Sequence, residues 1–406
     1  MPEVANELGI KSMHSLSWVN AMSKRLKNRK SITLAIACKG KGEKIQKHTL
    51  NDISYYILPH NCHKKDYWQI IIDDFRPDII HAYGTESNHN LLLLKNHKDI
   101  PIVISLQGIL SEYVRHIYAG LDFCTMLKYT QLIDFVLPLG FFSRKRNYEK
   151  RSKIEKKMLC AAKYVEGRST WDRVAALRIN PQLEYFYCPR MIRQPFFEYN
   201  WDINQIEKFS IFVHQAHSPI KGLHFVLEAL FLLKERYPQI KLYIGGNDIF
   251  NPHTIKERIK TSGYIHYLKD LIKKWELKEN IIITGYMSAE ELAKRLTKTH
   301  VAVIPSSIEN APNSLAESML VGTPTIASFV GGNMEMLEHE KDGFLYCYNE
   351  PNMLAEYINR FFMSPDLAKN FSTKAKDCAR KRHDPCLLEN QLMNIYNDIL
   401  KRHSCV

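Results

Sequence analysis

Short apolar runs alternate with segments of helical period along most of the chain. This alternation is the pattern of a parallel β-sheet whose strands are joined by helices. In the first half, the predicted strands are Ser31–Cys38, Ile79–Ala82 and Ile102–Leu106, and the predicted helices are Tyr67–Phe75 and Asn90–His97. The first half is therefore expected to form an α/β domain.

The second half shows the same alternation more regularly. Its predicted strands are Phe209–His214, Lys241–Gly245, Ile281–Thr284, Val301–Ile304 and Thr325–Ser328, and its predicted helices are Gly222–Tyr237, Tyr264–Trp275, Ala289–Thr299 and Leu315–Val321. The last helix is followed at once by Gly322 and Pro324, which are typical of a helix C-terminus. A second α/β domain is therefore predicted.

The chain has 406 residues, which is more than a single hydrophobic core usually organises. Residues 194–205 contain Pro195, many polar side chains and no hydrophobic period, so a domain boundary is predicted there. The predicted units are 1–197, 198–378 and a helical tail at 379–406 that packs back on the first unit. We expect two doubly wound α/β domains facing each other across a cleft, with ligands at the carboxyl ends of the strands.

The composition is that of an ordinary folded protein, with 45% hydrophobic and 24% charged residues. No run of about 18 uncharged apolar residues occurs, so no transmembrane helix is predicted. The first twenty residues carry Glu3, Glu7 and Lys11 and do not resemble a signal peptide. The nine cysteines never show C-x-x-C spacing, which favours a reducing compartment. A cytoplasmic location is therefore predicted.

Basic residues exceed acidic ones by 56 to 43, a net charge of +13, and the excess is concentrated in residues 144–157 (RKRNYEKRSKIEKK). Two interpretations stay open for this segment: a solvated basic helix, or a surface that binds anionic lipid. No zinc finger, aromatic RNA-binding motif or recognition-helix pattern accompanies the charge, so a nucleic acid is not expected as a partner.

The most informative segment for chemistry is 305–328, PSSIENAPNSLAESMLVGTPTIAS. Glu309 follows a predicted strand, and Glu317 lies eight residues later in the next helix. Asn313 and Ser314 are predicted as N-cap residues, which leaves backbone amides near Leu315 without helical partners. The start of such a helix attracts an anion such as a diphosphate.

The E-x7-E spacing of Glu309 and Glu317, followed by SMLVGTPTIAS, resembles the signature of glycosyltransferase family 4, whose members are retaining enzymes of the GT-B fold. Further similarities occur in the same order: Lys221-Gly222 after a strand, Gly245-Gly246 at a strand end, Thr284-Gly285-Tyr286, and Gly331-Gly332 before Glu335. Segments 77–86, 100–110 and 166–176 look like the N-terminal domain of bacterial enzymes that build capsular or other surface polysaccharides.

This resemblance implies transfer of a sugar from a nucleotide-diphosphate sugar to a growing surface glycan or a lipid-linked acceptor. It implies that Lys221 binds the donor diphosphate, that Glu309 holds the transferred sugar and that Glu317 binds the ribose. The implied residues are Lys221 and Glu309 as catalytic, Asn313, Ser314, Leu315, Glu317, Gly285 and Tyr286 as donor-binding, and Glu86, Gln107 and Gly108 on the acceptor side, in domain 1–197. For the acceptor-side residues, a purely structural role in loops stays open.

Metal is not expected, because the resemblance implies that basic side chains and helix dipoles stabilise the leaving diphosphate. No D-x-D motif follows a strand, and Asp73-Asp74 lies in a predicted helix. The histidines of segment 60–63 (HNCH) fit no standard zinc spacing and are interpreted as part of a polar loop. No cofactor is predicted besides the nucleotide-sugar substrate. With a basic lipid-binding surface, the predicted location becomes peripheral, on the inner face of the plasma membrane.

Three departures from the family pattern are visible. Gln215 and Ala216 stand where many members have Gly-Arg, so a charge-assisted phosphate contact is absent unless His214 or His217 replaces it. Residues 13–18 (MHSLSW) lack the glycine pair that lets a backbone approach the donor. The family's first strand has no clear counterpart in residues 1–10, and its absence would leave neighbouring strands unpaired. Two alternatives therefore stay open: a catalytically weak GT-B subunit that serves a partner enzyme, and a nucleotide-sugar epimerase of the same fold.

Overall fold

The computed structural model describes residues 17–40, 43–59, 61, 66–131, 133–136, 140–215, 217–251 and 261–404. The predictions made for residues 1–16, most of the 60–63 segment and Ala216 lie outside this part of the chain. Among the described residues, no helix is long and apolar enough to cross a membrane.

The N-terminal half contains two sheets, which share no hydrogen-bonded strand pair among the described residues. The first has the order β1-β3-β2, with β1 (Leu34–Lys39), β2 (Gln46–Leu50) and β3 (Ile53–Leu58). The second is fully parallel in the order β4-β5-β6-β7, with β4 (Ile80–Tyr83), β5 (Ile102–Ser105), β6 (Tyr164–Gly167) and β7 (Glu184–Tyr187). Strands β1 and β4 each lie at the edge of their sheet.

Helices connect these strands and cover them. They are α1 (Ser17–Lys27), α2 (Trp68–Phe75), α3 (Asn88–Asn96), α4 (Leu110–His116), α5 (Phe123–Tyr129), α6 (Ile133–Val136), α7 (Phe141–Ala161), α8 (Thr170–Ile179) and α9 (Pro195–Glu198). The central strands β5 and β6 of the second sheet are buried throughout, as expected for parallel strands that are covered on both faces.

The C-terminal half contains one six-stranded parallel sheet in the order β10-β9-β8-β11-β12-β13. The strands are β8 (Glu207–Val213), β9 (Lys241–Gly245), β10 (Ile281–Gly285), β11 (Thr299–Ile304), β12 (Thr325–Ser328) and β13 (Phe344–Tyr346). The helices are α10 (Leu223–Lys234), α11 (Gly263–Lys274), α12 (Ala289–Thr297), α13 (Asn313–Val321), α14 (Asn333–Met336), α15 (Pro351–Met363), α16 (Pro365–Arg382) and α17 (Pro385–Ser404).

The largest hydrophobic cluster lies around the centre of this second sheet. All six residues of β11 are buried, and Ile211 and Phe212 of neighbouring β8 are fully buried as well. The two strands meet where the order of the sheet reverses, because β9 and β10 follow on one side and β12 and β13 on the other. In doubly wound sheets this position forms a ligand-binding crevice at the carboxyl ends of the strands.

Helix α17 returns to the N-terminal half. Its Leu388 and Leu392 share a buried cluster with Met22 of α1 and with Val103 of β5. The Nδ1 atom of His81, in β4, lies 2.7 Å from the hydroxyl of Tyr396 on the same helix. The chain therefore crosses between its halves twice, once near residue 194 and once between α16 and α17.

Candidate active site

Lys221 and Glu309 come together at the carboxyl ends of β8 and β11. The Lys221 Nζ atom lies 2.6 Å from Glu309 Oε1, and the Ser306 hydroxyl donates to the same oxygen at 2.8 Å. A short 3₁₀ turn, Pro219–Lys221, ends at Gly222, which has φ of 71°. A Cβ atom at Gly222 would lie 2.0 Å from the Pro305 carbonyl oxygen, so only glycine allows the two loops to pack this closely.

Helix α13 starts beside this pair. It begins at Asn313 with Pro312 as N-cap and without a side-chain cap, so the prediction that Asn313 and Ser314 are N-cap residues is wrong. The amides of Leu315 and Ala316 donate to the Pro312 carbonyl at 3.1 and 3.3 Å. Among the hydrogen bonds of the described residues, the amides of Asn313 and Ser314 are left for a ligand. The positive end of the helix dipole is therefore open two residues earlier than predicted.

Glu317 is buried one turn into α13 and forms an ion pair that sequence reasoning missed. The Nη2 atom of Arg193 donates to Glu317 Oε1 at 2.7 Å. Burial raises the pKa of Glu317, and the Arg193 guanidinium acts in the opposite direction. Arg193 comes from the segment that joins the halves. A cation in an otherwise uncharged stretch, MIRQP, is the only sequence signal for it.

The histidines proposed as substitutes for the missing arginine do not supply charge. Burial, together with the neighbouring Arg193 and Lys221 cations, lowers the pKa of His214 to about 3. Burial, together with the positive charges of Arg144 and Lys221, lowers the pKa of His217 to about 4. Both rings are therefore neutral near pH 7. The His214 Nε2 atom lies 3.3 Å from the Ser318 hydroxyl on α13, so this histidine instead contacts the helix that starts at the site.

Residues of the N-terminal half reach the same place. The aromatic ring of Tyr113, on α4, lies against Gly108, where a Cβ atom would be 3.2 Å from the Tyr113 hydroxyl. Burial raises the pKa of Tyr113, and the neighbouring Glu309 carboxylate raises it further. Gln107 contributes its carbonyl oxygen, which accepts a hydrogen bond from Arg168. Tyr113 was missed because nothing in its local sequence marks a contact with a residue almost two hundred positions away.

Glu86 is held at the N-terminal side of the cleft. Its carboxylate pairs with Arg151 of α7 at 2.9 Å and accepts the Thr85 amide at 3.0 Å. Gly285 is the last residue of β10, at the edge of the second sheet, and Tyr286, which follows it, is 80% exposed. Among the described hydrogen bonds and ion pairs, none joins Glu86 or Tyr286 to Lys221 or Glu309. These predicted residues are therefore not brought into contact with the central pair.

Polar contacts between the halves lie directly beside Glu309. The Ser169 hydroxyl and the Asn310 side-chain oxygen are 2.7 Å apart, and the Asn310 amide group donates to Asp172 at 2.8 Å. The Glu335 carboxylate accepts the Thr170 amide at the start of α8 at 2.7 Å. Asn310, which follows Glu309, is thus held in place by Ser169 and Asp172 of the N-terminal half.

The basic segment forms most of α7, and the structure divides it into two sides. Arg144 and Arg151 are partly buried and face the cleft, as the effect of Arg144 on the pKa of His217 and the Arg151–Glu86 pair show. The exposed basic residues are Arg146, Lys150, Lys153, Lys156 and Lys157. Within the described ranges, no group of three or more His, Cys, Asp or Glu side chains is arranged to hold a metal ion.

Comparisons with known proteins agree with this geometry. Residues 195–377 match the family model described as glycosyl transferases group 1. The chain is 25% identical over 190 residues to the uncharacterized glycosyltransferase MJ1607 of Methanocaldococcus jannaschii, with 47% of this chain and 45% of the relative covered. It is 26% identical over 172 residues to the amylovoran biosynthesis glycosyltransferase AmsK of Erwinia amylovora, covering 38% and 39%. The chain spans about half the length, or less, of the curated relatives it matches.

Solved structures extend the likeness over nearly the whole chain. Sucrose-phosphate synthase of Thermosynechococcus elongatus superimposes with a TM-score of 0.69 at 16% identity, covering 95% of this chain and 92% of that one. HepE of Anabaena, in complex with UDP-glucose, gives a TM-score of 0.58 at 18% identity, covering 82% and 81%. The two Rossmann-like halves confirm the predicted GT-B fold, and the segment that matches the glycosyltransferase group 1 model, residues 195–377, lies in its second half.

Proposed function

We propose that this protein is a retaining glycosyltransferase of family 4 that moves a sugar from a nucleotide-diphosphate sugar to a surface glycan or lipid-linked acceptor. The observation that carries the proposal is the meeting of the Lys221 ammonium, the Glu309 carboxylate and the open start of α13. A cation and a helix N-terminus together suit a diphosphate. The UDP-glucose in HepE and the polysaccharide named for AmsK support the donor and acceptor classes.

The residues divide the chemistry among them. Lys221 and the amides of Asn313 and Ser314 stabilise negative charge on the leaving diphosphate as the bond between the anomeric carbon and the phosphate oxygen breaks. Glu309 holds the transferred sugar, and Glu317 binds the ribose. The acceptor oxygen bonds to the anomeric carbon on the same face, and its proton passes to the departing phosphate. No metal is needed in this scheme, since the Lys221 ammonium and the open start of α13 stabilise the negative charge of the leaving diphosphate.

We also propose that the outer side of α7 binds an anionic membrane from the cytoplasmic side. Its exposed lysines lie beside apolar side chains that are unusually open to solvent: Phe123, Leu127 and Phe135 are 60%, 52% and 61% exposed. The rings of Phe123 and of Phe142, on α7, are 6.3 Å apart, which places the exposed Phe123 beside the start of the basic helix. Each basic residue near anionic lipid contributes about 1 kcal/mol.

The donor proposal is tested by incubating the purified protein with a panel of nucleotide sugars and measuring release of nucleoside diphosphate. The expected result is release with one donor, abolished in Lys221→Ala and kept in Lys294→Ala, a surface lysine paired with Glu290. Calorimetry with the free nucleotides separates the alternatives. Binding without turnover favours the weak partner subunit, sugar conversion without transfer favours the epimerase, and no binding by a folded sample refutes the proposal.

The membrane proposal is tested by co-sedimentation with phosphatidylglycerol vesicles. Replacing Lys150, Lys153 and Lys157 by glutamine should reduce binding, whereas the equal charge loss in Lys273, Lys274 and Lys278, which are exposed in the other half, should not. Equal losses in both triple variants would show that only net charge matters.

A further inference from the structure

A groove of about 390 Å³ opens on the surface where the two halves meet. Helices α4 and α8 form one wall, and the turn before α14 forms the other. The lining residues that matter here are Glu112, Trp171, Val174, Arg178, Met334 and Glu335. The roles given above to the donor-site residues do not use this groove.

The groove is adjacent to the proposed donor site. A Cβ atom at Gly331, which lines the groove, would lie 1.8 Å from the Glu309 carbonyl oxygen, so this turn packs directly on the Glu309 backbone. The rings of Trp171 and Tyr113 meet edge to face at 6.3 Å. The Glu309 carboxylate is near enough to Tyr113 to raise the pKa of its hydroxyl, so the aromatic pair lies between the groove lining and the surroundings of Glu309.

The surface of the groove combines apolar contact area with hydrogen-bonding groups. Val174 is 60% exposed and Met334 is 44% exposed, and the Trp171 ring is partly exposed between them. The carboxylates of Glu112 and Glu335 and the guanidinium of Arg178 line the same space. An aromatic ring with apolar neighbours suits the C–H face of a sugar ring, and the surrounding polar groups suit its hydroxyls.

The charges in the groove already have partners. Glu112 pairs with Arg178 and also with Arg115 at 3.1 Å. Glu335 accepts the amides of Thr170 and Trp171 at 2.7 and 3.3 Å. No excess of positive charge is left to attract a phosphate or a carboxylate. The groove therefore favours a neutral ligand over an anionic one.

We propose that this groove binds a neutral pyranose unit of the acceptor glycan, with its apolar face on Trp171 and the Val174–Met334 surface. The inference rests on the proposed transferase function and specifies its acceptor: the part next to the bond being formed is an uncharged sugar. Any anionic part of the acceptor, such as a lipid-linked phosphate, lies beyond the groove.

The probes are the methyl glycosides of glucose, galactose, mannose and N-acetylglucosamine, with glucose 1-phosphate as the anionic comparison. Binding is measured by saturation-transfer NMR on the full chain. At least one methyl glycoside should bind, and Val174→Arg, which places a long cation on the groove floor, should weaken it by about tenfold. Ile70→Arg is the matched control, because Ile70 is 53% exposed on α2, away from the groove. Trp171→Phe should keep more binding than Trp171→Ala.

Three results would overturn the inference: none of the methyl glycosides binds, Val174→Arg binds as wild type does, or glucose 1-phosphate binds more tightly than the neutral sugars. Nucleotide binding is measured by calorimetry on the same preparations. If wild type and Val174→Arg bind nucleotide equally while only the variant loses the glycoside, the groove acts separately from the donor site. Failure of nucleotide binding in wild type contradicts the transferase proposal, whatever the glycosides do.

Discussion

The pair formed by Arg193 and Glu317 allows a quantitative test of the donor site. Arg193→Ala leaves a carboxyl group without its cation in a place where Glu317 is only 7% exposed. Removing one partner of a buried ion pair costs 3–5 kcal/mol in typical cases. Because the Arg193 side chain is itself 27% exposed, we expect a loss at the lower end of this range, so Arg193→Ala should lower the unfolding free energy by about 3 kcal/mol.

The loss should depend on pH in a defined direction. Burial already raises the pKa of Glu317 above its ordinary value of 4.5, and removing Arg193 raises it further. Above 4.5, the folded variant then holds a proton that the unfolded chain releases. Its stability therefore falls as the pH rises through this window, and the difference from wild type is larger at pH 8 than at pH 5.

The assay is urea unfolding followed by circular dichroism at both pH values. Arg173→Ala is the control, since Arg173 is an exposed arginine on α8. The double variant Arg193→Ala with Glu317→Gln should recover most of the loss at pH 8, because a neutral amide does not need the cation. A loss that is equal at both pH values, or one that Glu317→Gln does not relieve, would refute this reasoning.

Three further outcomes are expected. Gly222→Ala should lower the unfolding free energy by about 2 kcal/mol in the same urea assay, because residue 222 has a positive φ and the added Cβ atom would clash with the Pro305 carbonyl. Gly246→Ala is the control: residue 246 also has a positive φ but faces open space, so the unfolding free energy should fall less. Tyr113→Phe should lower kcat about tenfold in the nucleotide-release assay with little change in KM for the donor, since the Glu309 carboxylate is near enough to raise the pKa of the Tyr113 hydroxyl. Glu335→Gln should reduce stability by about 1 kcal/mol, measured by thermal melting, because the start of α8 loses a carboxylate. Glu338→Gln, at an exposed position, should have a smaller effect in the same measurement.

Much of the fold could be predicted because several buried strands carry their own signal, although β3, β6 and β13, which are largely buried as well, were not predicted. The residues of β11 and β12 are buried throughout, and both include short apolar runs of the kind that a covered parallel strand produces. The spacing of Glu309 and Glu317 is also a local feature of the sequence, because Glu309 lies in the loop after β11 and Glu317 lies in the helix that follows this loop. The resemblance to glycosyltransferase family 4 implied that Lys221 and Glu309 belong to one site, and the structure places Lys221 Nζ 2.6 Å from Glu309 Oε1.

The features of the site that were not predicted depend on contacts between residues far apart in the sequence or on the exact start of a helix, which residue spacing does not encode. The prediction of N-cap side chains failed because Pro312 already occupies the N-cap, so Asn313 is the first helical residue. Arg193 and Tyr113 reach the site only through the relative placement of the two halves. The basic segment was treated as one surface, although α7 turns Arg151 towards Glu86 and Lys150 towards solvent. A helix has two faces, and a count of charge along the chain does not separate them.

Under the proposed function, a diphosphate binds without the arginine that many family members have at position 216, and the charges of the site show which groups are left to hold it. Lys221 faces Glu309 and Arg193 faces Glu317, so two cations are balanced by two carboxylates, while His214 and His217 are neutral. A diphosphate therefore enters a site with little net charge. Its binding must draw on the open start of α13 and on exchange of the Lys221 ammonium from carboxylate to phosphate. Under the proposed function, that exchange frees Glu309 from its cation when the phosphate arrives, so binding of the donor also prepares the carboxylate that we propose holds the sugar.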